Sequence, residues 1–292
     1  MNELESLQSC GLCDSKQLDA VDQDNFISKC KSCGYVFDNP RPSAEAIKRF
    51  YSQPEKYDSW LGEEQARDCL WKRRLKKIRR TVDSGSLLDI GTGIGQFLHH
   101  AENYYKVCGT EVSKSAIKIA KNRYDLSIIQ GEIIDIEFNK ENPFTIVTLF
   151  HVLEHVSNPK KVLEKCSSLL SQGGSLVIAV PNDVISLKSK IKILLSKIGV
   201  KRFRNLGRLG LPKITLDGSL SEIHLSHFTS VTLETHLKEM GFFIVENSLD
   251  PYYASNGLTL LLNHLHYFFS WCFMRLFKAN IYDAIWIVAK KL

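Results

Sequence analysis

The apolar and polar positions between residues 84 and 182 predict a series of short strands, the first of which runs into a glycine turn and a helix. Leu87 to Ile90 is an apolar run with the length of a buried central strand. Further apolar runs predict strands at 107–110, 128–130, 144–150 and 175–178. The glycine turn follows the first strand at once, so this stretch is the natural place to look for a ligand site.

The flanking segments predict helices, a loop and two closing strands. Ser43 is a good N-cap for a helix that ends at Tyr51. The predicted helices are 43–51, 63–82, 184–198 and 231–240, the predicted loop or lid is 201–220, and the predicted closing strands are 242–247 and 284–290.

The glycine turn carries the chemistry of a nucleotide site. Gly91, Gly93 and Gly95 allow a sharp turn and the close approach of a ligand to the backbone. The helix that follows offers unpaired amides and a positive dipole end. Glu111 ends the next strand twenty residues after Gly91, the spacing at which a carboxylate reaches ribose hydroxyls. We therefore expect a cofactor that contains adenosine.

The glycine pattern and the order of the following motifs resemble the class I S-adenosylmethionine-dependent methyltransferases, in a form similar to the methyltransferase-23 and ubiquinone-type domains. Asp89 stands just before G-x-G-x-G, and Gln96 breaks the nicotinamide-type pattern. The resemblance spans roughly residues 84 to 182. It implies an α/β, Rossmann-like fold with a seven-stranded, mostly parallel sheet and an antiparallel last strand. It also implies S-adenosylmethionine as cofactor, with contacts from Asp89, Gly91, Gly93, Gly95, Glu111, Glu132 and Phe150.

Four cysteines near the N-terminus are spaced as in a structural zinc site. Cys10 and Cys13, and then Cys30 and Cys33, form two C-x2-C pairs sixteen residues apart, as in a zinc ribbon. Two disulfides are the alternative, but residues 1–24 are polar and show no secretory signal. We therefore expect Zn²⁺ and a reducing, cytoplasmic compartment. The cysteine pairs joined to such a domain are similar to bacterial methyltransferases of surface-polysaccharide and sugar-modifying pathways.

Positive charge and apolar residues are concentrated in particular segments, although the formal net charge is only +6. Residues 188–213 hold nine Lys and Arg and no acid, and 67–80 hold a second basic run. Such runs bind anionic partners or form a solvated helix face. Residues 258–277 are unusually apolar and predict a helix that packs on the domain, on a second subunit in a homodimer, or on a membrane surface. The last option implies a peripheral position at the inner membrane surface.

Histidines near the predicted sheet edge are candidates for a general base. His151 and His155 follow the fourth strand, at the edge where ligands sit in open α/β sheets. His224 and His227 come from the segment expected to cover that edge, and Glu154 is placed to orient a histidine. We prefer His151 and His227, with His155 and His224 as alternates.

These features together predict a methyltransferase (EC 2.1.1.-) for a small-molecule or lipid-linked acceptor, such as a sugar of a surface polysaccharide or a secondary metabolite. An RNA methyltransferase that uses the ribbon and the basic run is one alternative, and a non-catalytic S-adenosylmethionine-binding regulator or scaffold is another. The predicted divisions are a zinc-ribbon-like module at 1–40, a helical linker at 41–83, the cofactor core at 84–183, a basic insertion or lid at 184–222 and a C-terminal part at 223–292.

Overall fold

A computed structural model describes residues 3–51, 64–203, 205–215, 222–251 and 257–292. The strands are β1 (Leu4–Glu5), β2 (Leu18–Asp22), β3 (Ile27–Cys30), β4 (Val36–Asp38), β5 (Arg41–Pro42), β6 (Ser86–Ile90), β7 (Lys106–Glu111), β8 (Ile128–Gln130), β9 (Phe144–Phe150), β10 (Leu170–Pro181), β11 (Ser226–His227), β12 (Phe242–Leu249) and β13 (Ala284–Lys291). The α-helices are α1 (Ala44–Tyr51), α2 (Glu64–Arg79), α3 (Gln96–Ala101), α4 (Lys114–Tyr124), α5 (Pro159–Leu169), α6 (Leu187–Lys197), α7 (Ser230–Glu239) and α8 (Gly257–Phe277). A short 3-10 helix covers Lys201–Phe203.

The described residues include a seven-stranded sheet in the order β12-β13-β10-β9-β6-β7-β8. The pairs from β10 through β9, β6 and β7 to β8 are parallel, whereas β13 is antiparallel to both of its neighbours. This confirms the predicted α/β fold with an antiparallel last strand.

The central strands are buried on both faces, which explains their continuous apolar sequences. In β9, Val147 and Leu149 pack into one core cluster, while Ile146 and Phe150 pack into the other. Neighbouring residues of a strand point to opposite faces, so one apolar run supplies both layers. Because β10, β9, β6, β7 and β8 run parallel, their carboxyl ends lie at one edge of the sheet, where the glycine turn follows β6.

The cysteine module is completed by a strand from far along the chain. A second sheet has the order β11-β4-β3-β2, and β11 pairs antiparallel with β4 through Ser226↔Phe37 and His227↔Val36. This pairing holds the module against the segment that carries two of the candidate histidines.

Most predicted elements are present with small shifts of their ends. The Ser43 hydroxyl accepts a hydrogen bond from the Ala46 amide at 3.3 Å, as expected for an N-cap. The glycine pair at 173 and 174 lies inside β10, because the strand begins at Leu170 and changes register before Ser175. Residues 204 and 216–221, which belong to the predicted lid and its end, lie outside the described residues.

Candidate active site

The glycine turn and Glu111 occupy the same corner of the sheet. Gly91, Gly93 and Gly95 all have positive φ, between +57° and +80°, a region that favours glycine. One carboxylate oxygen of Glu111 accepts a hydrogen bond from the Gly93 amide at 2.8 Å. The other accepts from the amides of Val112 and Ser113, each at 2.9 Å. The carboxylate of Glu111 thus holds the glycine turn in shape and lies beside it, and its contact with a ribose stays a prediction.

Asp89 lies on β6, two residues before the glycine turn, and is almost completely buried. The Thr148 hydroxyl donates a hydrogen bond to its carboxylate at 2.6 Å. Burial raises the pKa of Asp89 to about 7 despite this hydrogen bond. Asp89 therefore lies under the glycine turn as a carboxyl group that titrates near neutrality.

The remaining predicted cofactor residues differ in their surroundings. Glu132 follows β8 and is half-buried next to Gly131, whose amide donates to the Glu111 carbonyl at 3.0 Å. Phe150 is buried between Phe97, at 4.9 Å between ring centroids, and Trp286, at 5.8 Å. A cofactor contact for each of them stays a prediction, and the surroundings of Phe150 are those of a core residue.

His151 directly follows β9 and has a backbone conformation that non-glycine residues seldom adopt, at φ +56°. Its Nδ1 lies 3.2 Å from a carboxylate oxygen of Glu154, which is buried, and its Nε2 lies 3.7 Å from a carboxylate oxygen of Asp250. Burial alone lowers the pKa of His151, but the contacts with Asp250 and Glu154 outweigh it and raise that pKa. The ring is thus held between two acids and stabilised when protonated.

Behind His151 lies a buried ion pair that the sequence did not predict. Arg74 and Asp250 are fully buried, and the guanidinium donates to both carboxylate oxygens, with Nε to Oδ1 at 3.0 Å. The guanidinium also lies 4.7 Å from the centre of the Phe150 ring. The sequence predicted that the basic run 67–80 binds anionic partners or forms a solvated face. For Arg74 this is wrong, because Asp250 neutralises its charge inside the fold. One Arg within a basic helix gives no sequence signal for this role.

His155 and His224 come together on the other side of Glu154. His155 Nε2 lies 3.8 Å from the Glu154 carboxylate, and the two imidazole centroids are 5.0 Å apart. His155 Nδ1 lies 2.7 Å from the Ile223 carbonyl, which can only accept, so this nitrogen carries a proton. Burial lowers the pKa of His155 and favours its neutral form. Burial acts in the same direction on His224, but Asp183 at 2.9 Å, together with Glu222, raises the pKa of His224 well above its ordinary value.

His227 lies behind this group and links it to the cysteine module. Its Nε2 lies 2.8 Å from the Asp38 carboxylate of β4, and its Nδ1 lies 3.7 Å from Asp183. Burial alone would lower the pKa of His227, but Asp183 and Asp38 raise it to about 9. Both ring nitrogens face carboxylates, as suits a protonated imidazole with two donors. The structure therefore connects Asp38, His227, Asp183 and His224 in one row.

Two cavities of about 310 Å³ each open beside these groups in the described part of the chain. His151 lines one of them, together with Asn263 of α8, and His227 lines the other. Asp183 and His224 line both. The preferred histidines therefore face different cavities, and His224 stands between them.

The four predicted zinc ligands form one cluster. Their Sγ atoms lie within 4.8 Å of one another, with Cys10 to Cys33 and Cys13 to Cys30 both at 3.6 Å. Sulfurs about 2.3 Å from a tetrahedral metal lie about 3.8 Å apart, whereas a disulfide needs about 2.05 Å. The donor set and its spacing therefore fit a tetrahedral metal ion.

Comparison with known proteins points in the same direction as the geometry. A protein of Methanocaldococcus jannaschii with no assigned function is 32% identical over 132 residues, which are 45% of this chain and 60% of that protein. A ubiquinone biosynthesis O-methyltransferase of Coxiella burnetii is 31% identical over 116 residues, 37% of this chain and 50% of the relative. The chain thus spans about half the length of the curated relatives it matches.

Solved structures share the fold at low identity. A Listeria monocytogenes protein described as an S-adenosylmethionine-dependent methyltransferase aligns with a TM-score of 0.56 and 18% identity, over 78% of this chain and 99% of its own. Magnesium protoporphyrin IX methyltransferase from Synechocystis, solved with bound S-adenosylhomocysteine, aligns with a TM-score of 0.55 and 12% identity, over 86% and 100%. The sequence profile of the methyltransferase domain matches residues 63–247, more than half of the chain. The chain therefore belongs to the methyltransferase domain family.

Proposed function

We propose that the protein transfers a methyl group from S-adenosylmethionine to a small-molecule acceptor in the cavity beside His151. The observation that carries this proposal is the contact between the glycine turn and the segment after β9. A Cβ added to Gly91 would lie 2.5 Å from Cγ2 of Val152, the residue next to His151. The glycine turn and the segment that carries His151 thus meet at the carboxyl edge of the sheet, which is where ligands bind in open α/β sheets.

The end of β6 and β7 fits S-adenosylmethionine, because the buried carboxylate of Glu111 and the positive-φ glycine turn lie together at that place. When bound, S-adenosylmethionine supplies a methyl group on a positively charged sulfur, ready for in-line attack. We assign its binding to the turn, to Glu111 and Glu132, and to Asp89 beneath them, with Phe150 as a predicted contact. Much of the rate of methyl transfer then comes from the alignment of the acceptor with the methyl group, which the turn and the strand ends provide.

We assign the general base to His151. Glu154 faces Nδ1 and Asp250 faces Nε2, so both carboxylates stabilise the imidazolium that forms when the ring takes a proton from an acceptor hydroxyl. His155 is a neutral alternate whose Nδ1 already donates to Ile223. His224 is held protonated by Asp183 and is better suited to bind an anionic group of the acceptor.

His227 is assigned a positioning role in place of direct proton transfer. It is nearly inaccessible, and it lies between Asp38 of the cysteine module and Asp183. Asp183 in turn contacts His224. We propose that Cys10, Cys13, Cys30 and Cys33 hold one Zn²⁺ that keeps β4, and with it Asp38, in place.

The acceptor is proposed to be a hydroxyl compound, free or lipid-linked, and a sugar is one such compound. The name of the Coxiella relative, an O-methyltransferase, supports oxygen as the attacking atom. Methylation of RNA and cofactor binding without turnover are the competing functions. RNA binding would weaken steeply with salt, and a regulator would bind the cofactor but methylate nothing.

A methyl-transfer assay tests this proposal. Purified protein is incubated with methyl-tritiated S-adenosylmethionine and with sugar, sugar-nucleotide, lipid-linked and RNA acceptors. Label in a small or lipid-linked acceptor, reduced in His151→Ala but retained in Val231→Ala, an exposed-site control, supports it. Label in RNA alone would contradict the acceptor class, and cofactor binding without label in any acceptor would favour the regulator.

A further inference from the structure

The helix α8 presents an apolar stripe to solvent and packs a side of mixed polarity against the protein. Six large apolar residues that recur at helical spacing are more than half exposed: Leu258, Leu261, Leu262, Leu265, Phe268 and Phe269. On the opposite side Ser270 is buried and His266 half-buried, and Tyr267 and Met274 pack against a buried apolar cluster. A surface helix of a domain surrounded by water shows the reverse arrangement, so this outward stripe calls for a non-aqueous partner.

The neighbouring helix α6 adds positive charge. Its lysines at 188, 190, 192 and 197 are exposed, and residues 187–213 contain no acid. Ile191 and Leu194 on the same helix are also exposed, by 46% and 60%. Lysines interspersed with apolar side chains are typical of helices that lie on an anionic bilayer.

The two helices flank the same opening. Lys188 of α6 pairs with the carboxylate of Asp283, and His266 of α8 lies 3.4 Å from the same carboxylate. Lys192 of α6 and Asn263 of α8 line the cavity that contains His151. The apolar stripe and the lysine row therefore belong to two helices that flank one cavity, and together these helices form the surface around its opening.

We propose that this surface, formed by α6 and the outward stripe of α8, docks the protein on an anionic membrane. None of the described helices is long and apolar enough to span a membrane, so α8 lies in the plane of the interface. Charge decides against a second copy as the occupant. Neither 187–213 nor 257–277 contains an acid, so a symmetric dimer through this surface would cover both lysine rows with no acid from either helix to pair them, whereas anionic headgroups neutralise them.

Vesicle flotation of the full chain tests the proposal. The vesicles contain phosphatidylcholine alone or phosphatidylcholine with about 30% phosphatidylglycerol. We expect binding to the anionic vesicles, a loss of roughly tenfold or more in Leu262→Glu with Phe269→Glu, and a similar loss in Lys190→Glu with Lys197→Glu. Val231→Glu places the same change at another exposed apolar position, on α7, and should leave binding intact.

Two results would overturn the proposal. One is an absence of wild-type binding to anionic vesicles. The other is a stable dimer in light scattering that Leu262→Glu dissociates, because a second copy would then cover the stripe. Flotation needs neither cofactor nor acceptor, so its outcome is separate from that of the proposed methyl transfer.

Discussion

Replacing Asp38 by Asn removes one of the two carboxylates that face His227 and tests the link between the cysteine module and the site. Asp38 and His227 are 189 residues apart in sequence, 2.8 Å apart in space, and both nearly inaccessible. Asparagine keeps the size of the side chain but not its charge. We therefore expect the fold to persist and the protonated state of His227 to become less stable.

The magnitude follows from the pKa of His227. A folded pKa of about 9, against an ordinary value of 6.5, corresponds to about 3 kcal/mol of unfolding free energy. Since the folded pKa is the higher one, this stabilisation is complete below pH 6.5 and is lost as pH rises through 9. Asp38 and Asp183 share the stabilisation, so Asp38→Asn should remove about 1–2 kcal/mol at neutral pH.

The assay is denaturant unfolding between pH 5 and 10, combined with NMR titration of the histidine rings. The wild type should lose stability between pH 6.5 and 9, and Asp38→Asn should lose it at lower pH, with a lower pKa for His227. Asp19→Asn is the matched control, because Asp19 is an exposed carboxylate on β2. Identical pH profiles for wild type and Asp38→Asn would refute the reasoning.

Three further predictions concern the cofactor, the metal and the base. Glu111→Gln should weaken S-adenosylmethionine binding roughly 5- to 150-fold in calorimetry, since only one side of an amide can accept hydrogen bonds, whereas both carboxylate oxygens of Glu111 accept them. Equal affinity in this variant and in the exposed-site control Glu141→Gln would count against this prediction. Metal analysis of protein purified under reducing conditions should find about one zinc per chain, and Cys30→Ala should lose it; metal-free wild-type protein would exclude the ribbon. His151→Ala should lower kcat by roughly 100-fold or more while the Kd for S-adenosylmethionine is kept, and an unchanged kcat would remove His151 as the base.

The local pattern of the chain was enough to predict the strands of the core, and the family resemblance implied their mostly parallel sheet. Apolar runs such as 144–150 mark strands buried on both faces, and positive-φ turns at Gly91, Gly93 and Gly95 are where glycine is favoured. The four-cysteine spacing likewise predicted the sulfur cluster. These features are encoded within short segments, so sequence reasoning can reach them.

Contacts between distant segments could not be predicted in the same way. The pairing of β4 with β11, the Arg74–Asp250 ion pair and the row from Asp38 to His224 each join residues far apart in the chain. Nothing in the sequence separates Arg74 from the other basic residues of α2. The sequence also could not show that the apolar stripe of α8 faces outward, because an apolar helix has the same composition whether it packs on protein or on lipid.

Calorimetric titration of the purified chain with S-adenosylmethionine and with S-adenosylhomocysteine tests the central claim most directly. The account predicts one site per chain for both, with Kd values in the micromolar range, and a large loss of affinity in Glu111→Ala and in Asp89→Ala. Heat-silent titrations with both ligands, confirmed by unchanged thermal stability in their presence, would contradict it, because the glycine turn and Glu111 would then serve another ligand.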